Sequence, residues 1–132
     1  MRPIPVGAKG TYMLRVTPAH LANQFKDVSL PQVFATPMMV TAMENAALNA
    51  VREYLDTGES AVGTGVNVRH LAATPVGHQV TAVAEVTKVD GRHLEFNVSA
   101  RDEIEEIGNG THERMVVDMA RLDQRLKAKK RP

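Results

Sequence analysis

The chain has 132 residues, a length suited to one domain that buries a hydrophobic core without disulfides or metals. It contains no cysteine, which excludes disulfides, zinc sites with cysteine ligands and thiol nucleophiles. Its net charge is +1, from 16 basic and 15 acidic residues, so the domain as a whole lacks the positive field that favours nucleic-acid binding.

No apolar run in the sequence approaches the roughly 18 residues needed to cross a membrane, and the first ten residues lack the apolar segment of a signal peptide. We therefore expect a soluble, cytoplasmic protein that binds neither membranes nor nucleic acid. Only residues 127–131, KAKKR, are markedly basic. We expect residues 123–132 to form a basic, mobile C-terminal tail, and residues 1–122 to form the domain.

The first predicted element is a strand over residues 11–17, which contains β-branched and aromatic residues and ends before Pro18. Its position suggests an edge strand. Residues 18–34 contain two prolines and no sustained period, which predicts a long connection. Long loops in compact domains often border binding sites.

One helix is predicted within residues 34–55, with Thr36 as its N-cap and Pro37 at the first helical position. Its apolar stripe includes Val40, Met43 and Ala47. Glu44 lies inside or at the edge of this stripe, where a carboxylate needs a partner.

Four strands are predicted after the helix, in antiparallel succession. Residues 60–71 alternate, which predicts one inward face. Asp90-Gly91 predicts a tight hairpin between two further strands. Residues 107–110, IGNG, predict a turn before the last strand. The predicted strands after the helix cover residues 60–71, 79–89, 92–101 and 111–122, and the inward face of the first comprises Val62, Thr64, Val66, Val68 and His70.

This order of elements predicts an α+β hotdog fold, in which a curved antiparallel sheet of about five strands wraps one long central helix. A single copy would leave sheet edges and part of the helix exposed. We therefore expect a homodimer with paired edge strands, and the sequence leaves a tetramer open.

Glu44 and His70 are the candidate acid–base pair. His70 ends the inward row of its strand and Glu44 faces the sheet from the helix, so the two are expected to meet at one rim, within a subunit or across a dimer. A buried hydrogen bond that only satisfies both groups explains the pattern equally well. Thr36 is explained by its capping role alone, although the helix start also offers backbone N–H groups to an oxyanion.

The remaining candidates are weaker. The five histidines show no metal-ligand spacing such as H-x-x-x-H, so no metal site is predicted. Gly63 and Gly65 within a strand predict a bulge or the close approach of another group. Arg114 is expected either to pair with the neighbouring acids Glu113 and Asp118 or to reach a ligand phosphate, and His112 shares this expectation.

Three segments resemble the fluoroacetyl-CoA thioesterase type of hotdog thioesterase. They are PQVFATPMMVTAMENAA, GESAVGTGVNVRHLAATPVG and EIGNGTHERMVV, and the resemblance extends from about Val6 to about Leu122. Its specific features are a threonine, a glutamate eight positions later in the helix, a histidine ending the next strand, and the pattern G-x-G-T-H-E-R. By this resemblance Thr36, Glu44 and His70 are the catalytic group, Gly63 lies near the acyl group of the substrate, and Arg114 lies near the site.

The resemblance implies hydrolysis of an acyl-CoA thioester by a homodimer, with no metal or redox cofactor and with coenzyme A as part of the substrate. Residues 24–30, QFKDVSL, depart from the fluoroacetyl enzyme because Phe25 is their one aromatic residue. We therefore expect a short acyl-CoA substrate without selectivity for fluoroacetyl-CoA. The alternatives are a non-catalytic hotdog protein that binds acyl-CoA and, ranked last, a hotdog enzyme resembling enoyl-CoA hydratases.

Overall fold

The computed structural model describes residues 1–130 and contains one antiparallel sheet of five strands. The strands lie in the spatial order β1-β3-β4-β5-β2, so β1 and β2 form the two edges. This confirms the predicted edge position of the first strand. The strands are β1 (Lys9–Arg15), β2 (Glu59–His70), β3 (Gln79–Asp90), β4 (His93–Arg101) and β5 (Glu106–Asp118).

The predicted succession of four neighbouring strands after the helix is wrong in one respect. β2 pairs with β5 and not with β3, which follows it in the chain. The tight β3–β4 hairpin is confirmed, with Asp90 opposite His93 and Gly91 at φ +60° in the turn. The predicted turn over residues 107–110 is wrong, because these residues continue β5 and pair with β2 and β4.

The long connection after β1 contains a one-turn helix, α1 (Ala22–Phe25). The long helix α2 (Thr36–Val51) packs on the concave face of the sheet and continues as a 3-10 turn, Arg52–Tyr54. Its N-cap is Ala35, so the prediction that Thr36 caps the helix is wrong; Thr36 is the first helical residue and its hydroxyl contacts the sheet instead. The helix sits close to β1, where a Cβ on Gly10 would meet the backbone of Ala46 and Ala50. The buried helix residues are Met39, Ala42, Met43, Ala46, Ala47, Ala50 and Val51. This arrangement confirms the predicted hotdog fold.

A bulge interrupts β2 and reverses which side chains face the helix. Gly63 pairs with Arg114 and Gly65 pairs with Glu113, so Thr64 is the extra residue. Directly opposite residues of an antiparallel pair share a face, so Gly63 lies on the inner face beside buried Arg114. After the bulge the inner residues are Val66, Val68 and His70. The predicted inward face is therefore confirmed for these three residues and wrong for Val62 and Thr64.

The chain ends in a helix, α3 (Met119–Ala128), so residues 119–122 are not part of the last strand as predicted. Asp118 caps the helix, because its side chain accepts hydrogen bonds from the backbone N–H groups of Ala120 and Arg121. The proposed boundary between domain and tail, at residues 122 and 123, falls inside this helix. Arg131 and Pro132 of the predicted tail lie outside the described residues. None of the helices in the described part is long and apolar enough to cross a membrane.

Candidate active site

Thr36 and His70 meet at the start of α2. Thr36 lies in the first turn of the helix and His70 is the last residue of β2, and Thr36 Oγ1 lies 2.8 Å from His70 Nδ1. The segments on either side are joined by a backbone hydrogen bond of 2.8 Å from the Phe34 N–H to the Thr74 carbonyl. The fold therefore holds the two side chains in contact although they lie 34 positions apart in the sequence.

The surroundings of the His70 imidazole favour its neutral form. Burial lowers its pKa below the usual value, and a backbone hydrogen bond at Ala72 partly opposes this shift. Its second nitrogen, Nε2, is buried and has no hydrogen-bond partner among the described residues. A buried imidazole nitrogen without a partner is costly, so a group from a ligand or another subunit is expected there.

A cavity of about 370 Å³ adjoins Thr36 and His70. Ala72 and Ala73 line it after β2, and Lys26 and Leu30 line it from the long connection. The connection therefore borders the candidate site, as the sequence predicts. The side chain of Phe25, the one aromatic residue noted in this connection, lies outside what the structure describes.

Glu44, Gly63 and Arg114 form a second group, further along the inner face of the sheet. Glu44 Oε2 lies 4.0 Å from the Arg114 guanidinium, whose side chain is 8% exposed, whereas the Glu44 side chain is 39% exposed. Arg114 also donates a hydrogen bond of 2.6 Å to the Ala61 carbonyl. A Cβ on Gly63 would lie 2.8 Å from Glu44 Oε2, so the glycine makes room for this carboxylate. The predicted close approach at Gly63 is confirmed.

His112 belongs to this second group, although the sequence indicated it only as a weaker candidate beside Arg114. Its Nδ1 lies 2.7 Å from the Gly65 carbonyl, and its Nε2 lies 3.1 Å from the Arg114 guanidinium. Because the carbonyl can only accept and the guanidinium can only donate, His112 carries its proton on Nδ1 and is neutral. Burial is the main cause that lowers its pKa, which favours the same state.

The expectation that Arg114 and His112 pair with Glu113 and Asp118 is wrong. Glu113 lies between them in β5 and therefore points to the opposite face of the sheet. Asp118 is occupied as the cap of α3. The alternation His112, Arg114, Val116 along the inner face was the available sequence signal for the contact between Arg114 and His112.

The two groups are separate within one chain. No hydrogen bond or ion pair among residues 1–130 joins Glu44 to His70. Thr36 and Glu44 are eight residues apart in a regular helix, about 12 Å along its axis. Gly63 and His70 are seven residues apart in β2, roughly 20 Å of extended strand. A single subunit thus presents Thr36 with His70 at one place and Glu44 with Gly63 and Arg114 at another.

One group among the described residues could offer three ligands to a cation. His93, Glu95 and Glu113 have donor atoms within 4.8 Å of one another. The group lies on the outer face of the sheet, opposite Thr36, Glu44 and His70, and His93 Nε2 lies 3.2 Å from Glu113 Oε1. It is therefore separate from both groups of the candidate active site.

A family model and a characterised relative both match this chain to the same kind of thioesterase. Residues 16–120 match the family model described as fluoroacetyl-CoA-specific thioesterase. A fluoroacetyl-CoA thioesterase of Streptantibioticus cattleyicolor is 46% identical over 99 residues, which cover 75% of this chain and 71% of that protein.

Solved structures with the same fold include the fluoroacetyl-CoA thioesterase, at a TM-score of 0.92 and 38% identity, with 98% of this chain and 99% of that chain covered. Its variants have been solved with fluoroacetate and CoA and, with a threonine replaced by serine, with acetyl-CoA. A thioesterase-superfamily protein of Thermus thermophilus matches at a TM-score of 0.89 and 33% identity, covering 98% and 97% of the two chains.

Proposed function

The chain belongs to the fluoroacetyl-CoA-specific thioesterase family, and on this basis we propose that it hydrolyses an acyl-CoA thioester to a carboxylate and free coenzyme A. The observation that carries the proposal is the hydrogen bond between Thr36 and His70 beside a cavity, with the second His70 nitrogen buried and unpartnered among residues 1–130. A neutral imidazole next to a hydroxyl in a cavity suits proton transfer.

Thioester cleavage requires a nucleophile, a proton acceptor and stabilisation of the oxyanion that forms. In the proposed reaction an oxygen attacks the thioester carbon, the Glu44–His70 pair takes up the one proton that the nucleophile loses, and the same pair returns this proton to the thiolate as the C–S bond breaks. Thr36 either positions the attacking water or attacks itself. Mass spectrometry of protein quenched during turnover distinguishes the routes, since attack by Thr36 leaves an acyl group on its oxygen. The chemistry requires no metal or redox cofactor.

The catalytic group is proposed to assemble across a homodimer. β2 is an edge strand of 12 residues, and Val66 on its inner face remains 46% exposed in one subunit. Antiparallel pairing of two β2 strands can set Gly63 opposite His70 of the partner subunit. Glu44 beside Gly63 would then approach the unpartnered imidazole nitrogen, which joins the groups that one chain keeps apart.

The proposed substrate is a short acyl-CoA, without selectivity for the fluorinated acyl group named for the relative. The connection that borders the cavity contributes Lys26 and Leu30 to its lining. Neither side chain is aromatic, and the aromatic residue in the lining, Phe34, is buried in the core. An unfluorinated acetyl-CoA or propionyl-CoA should therefore be hydrolysed at a rate comparable with fluoroacetyl-CoA.

The test measures thiol release from a panel of acyl-CoA esters with a thiol-reactive dye, which the protein itself does not consume because it has no cysteine. Glu44→Gln and His70→Ala should each lower turnover at least about a hundredfold with the fold intact. Glu113→Gln and His93→Ala, on the outer face, are matched controls that should retain activity. Binding of every ester without thiol release would favour the acyl-CoA-binding alternative and overturn the proposal.

Mixing the two inactive variants tests the shared site. A dimer of one Glu44→Gln subunit and one His70→Ala subunit contains one site with both native side chains and one with neither. Random exchange in an equal mixture makes half of the dimers of this kind, so it should restore about a quarter of the native activity. No recovery, with exchange verified by differently tagged subunits, would contradict assembly across the dimer.

A further inference from the structure

A second cleft, of about 530 Å³, lies between the end of β5 and α3. Three arginines line it: Arg92 from the β3–β4 turn, and Arg121 and Arg125 from α3. Its apolar lining comes from Val116, Val117 and Leu122. We call this the arginine cleft. None of its side chains takes part in the catalytic group described above.

The arginine cleft carries positive charge that the described protein does not neutralise. Arg121 and Arg125 are four residues apart on one side of α3, and neither forms an ion pair with any residue from 1 to 130. Arg92 forms an ion pair with Glu59, with 3.3 Å between its guanidinium and Glu59 Oε2. The one acid in the lining, Asp118, accepts hydrogen bonds of 2.9 and 3.1 Å from the backbone of α3. The cleft therefore has at least two guanidinium groups free to bind an anion.

The composition of the cleft fits a phosphorylated nucleotide. Guanidinium groups bind phosphate oxygens through two parallel hydrogen bonds, and they also stack on the flat face of a base. The valine and leucine side chains offer apolar contact to the ring. A carboxylate-bearing peptide would match the charge but would leave this apolar lining without a flat partner.

The position of the arginine cleft connects it to the proposed reaction. Asp118 is four residues beyond Arg114 in β5, about 13 Å along the strand. The β2 residues Glu59–Ala61 pair with the β5 residues Val116–Asp118. In the dimer register that sets Gly63 opposite His70 of the partner subunit, the partner's cavity-lining segment after β2 runs beside this end of β2. The arginine cleft of one subunit then adjoins the cavity of the other.

We propose that the arginine cleft binds the phosphorylated adenosine end of the CoA ester while the thioester lies at the catalytic group. This inference rests on the proposed function. It assigns Arg121 and Arg125 to substrate binding and gives them no part in the chemical step.

The first experiment measures binding of adenosine 3′,5′-bisphosphate, which carries no thioester, by isothermal titration calorimetry. The double variant R121Q/R125Q should bind it at least about tenfold more weakly than the native protein. K129Q/K130Q, which removes two exposed cations near the end of α3, should bind it like the native protein. Equal affinity in the native protein and R121Q/R125Q would overturn the proposal, as would equally tight binding of unphosphorylated adenosine.

The second experiment compares acyl-CoA with the corresponding acyl-pantetheine, which lacks the nucleotide. For R121Q/R125Q, KM for acyl-CoA should rise at least about tenfold with kcat unchanged, and both constants for acyl-pantetheine should stay at native values. An equal rise in KM for both substrates would indicate a structural effect and overturn the assignment. If no ester is hydrolysed, the proposed function fails, while the calorimetric experiment still decides whether the cleft binds the nucleotide.

Discussion

Replacing Gly63 by alanine tests whether the placement of Glu44 limits catalysis. The added Cβ would lie 2.8 Å from Glu44 Oε2 and 3.4 Å from His112 Cε1. Since non-bonded carbon–oxygen contacts this short are not tolerated, the carboxylate has to move. The Glu44 side chain is 39% exposed and can do so without unfolding the protein.

The size of the effect follows from the displacement. Opening the contact from 2.8 Å to an ordinary 3.4 Å moves the carboxylate by about 0.6 Å. A misplacement of 1 Å at a catalytic group costs on the order of a hundredfold in rate, so Gly63→Ala should lower kcat/KM by about 10- to 100-fold. Gly63 does not have a positive φ, and alanine is favoured over glycine in a strand by about 0.5–1 kcal/mol. The free energy of unfolding should therefore fall by no more than about 1 kcal/mol.

Gly65→Ala is the matched control. Its Cβ would lie 2.6 Å from Glu113 Oε2, a carboxylate on the outer face of the sheet. The two substitutions lie in the same strand, β2, and each displaces the carboxylate of one glutamate. Only Gly63→Ala displaces a glutamate of the candidate site. Thiol release from acyl-CoA and urea unfolding are measured for both. Native activity in Gly63→Ala, or an equal loss in both variants, would refute the reasoning.

Two further predictions concern stability. Burial lowers the pKa of His70 and His112, so the unfolded chain binds more protons between the lowered values and about 6.5; the free energy of unfolding should fall as the pH drops below about 6.5. Urea unfolding from pH 7 to 5 should show a shallower pH dependence in His112→Asn, and an unchanged dependence would exclude His112 as a contributor. Gly10→Ala places a Cβ against the backbone of Ala46 and Ala50, which cannot yield as a side chain can, and should cost about 1–3 kcal/mol. An unchanged urea midpoint would contradict the close packing of β1 on α2.

The parts of the fold that local signals define could be predicted from the sequence. Pro37 locates the start of α2, and Asp90-Gly91 locates the β3–β4 hairpin. The buried alternation of β4 is equally clear. These signals depend on residues that are near one another in the chain, so no knowledge of distant contacts was needed.

The order of the strands in the sheet and the start of α3 could not be predicted from local sequence signals. The pairing of β2 with β5 joins residues about fifty positions apart, and no local pattern distinguishes it from pairing with β3. The start of α3 was missed because residues 115–117 continue into it with an apolar pattern that also suits a strand, although Asp118 is a good N-cap.

In the candidate site, too, the residues could be predicted from the sequence, but their tertiary arrangement could not. Thr36, Glu44 and His70 could be selected by pattern and resemblance. The direct contact of Thr36 with His70 was not predicted, because it depends on how the start of α2 packs on the end of β2. The place of His112 beside Arg114 could not be predicted, because its burial and its bond to the Gly65 carbonyl depend on the pairing of β5 with the bulged strand. The separation of Glu44 from His70 within one chain also depends on this tertiary arrangement.

The bulge in β2 makes the number of residues in this strand more important than their identity. Thr64 is unpaired, and substitutions there leave the register of both halves of the strand as it is. Deleting a paired residue between Gly65 and His70 would instead change the alternation, so that Gly63 and His70 could no longer lie on the same side of the sheet. The five strands and the helix could all still form. Single-residue insertions and deletions between Gly65 and His70 should therefore be far more damaging to the site than point substitutions at exposed positions in the same interval.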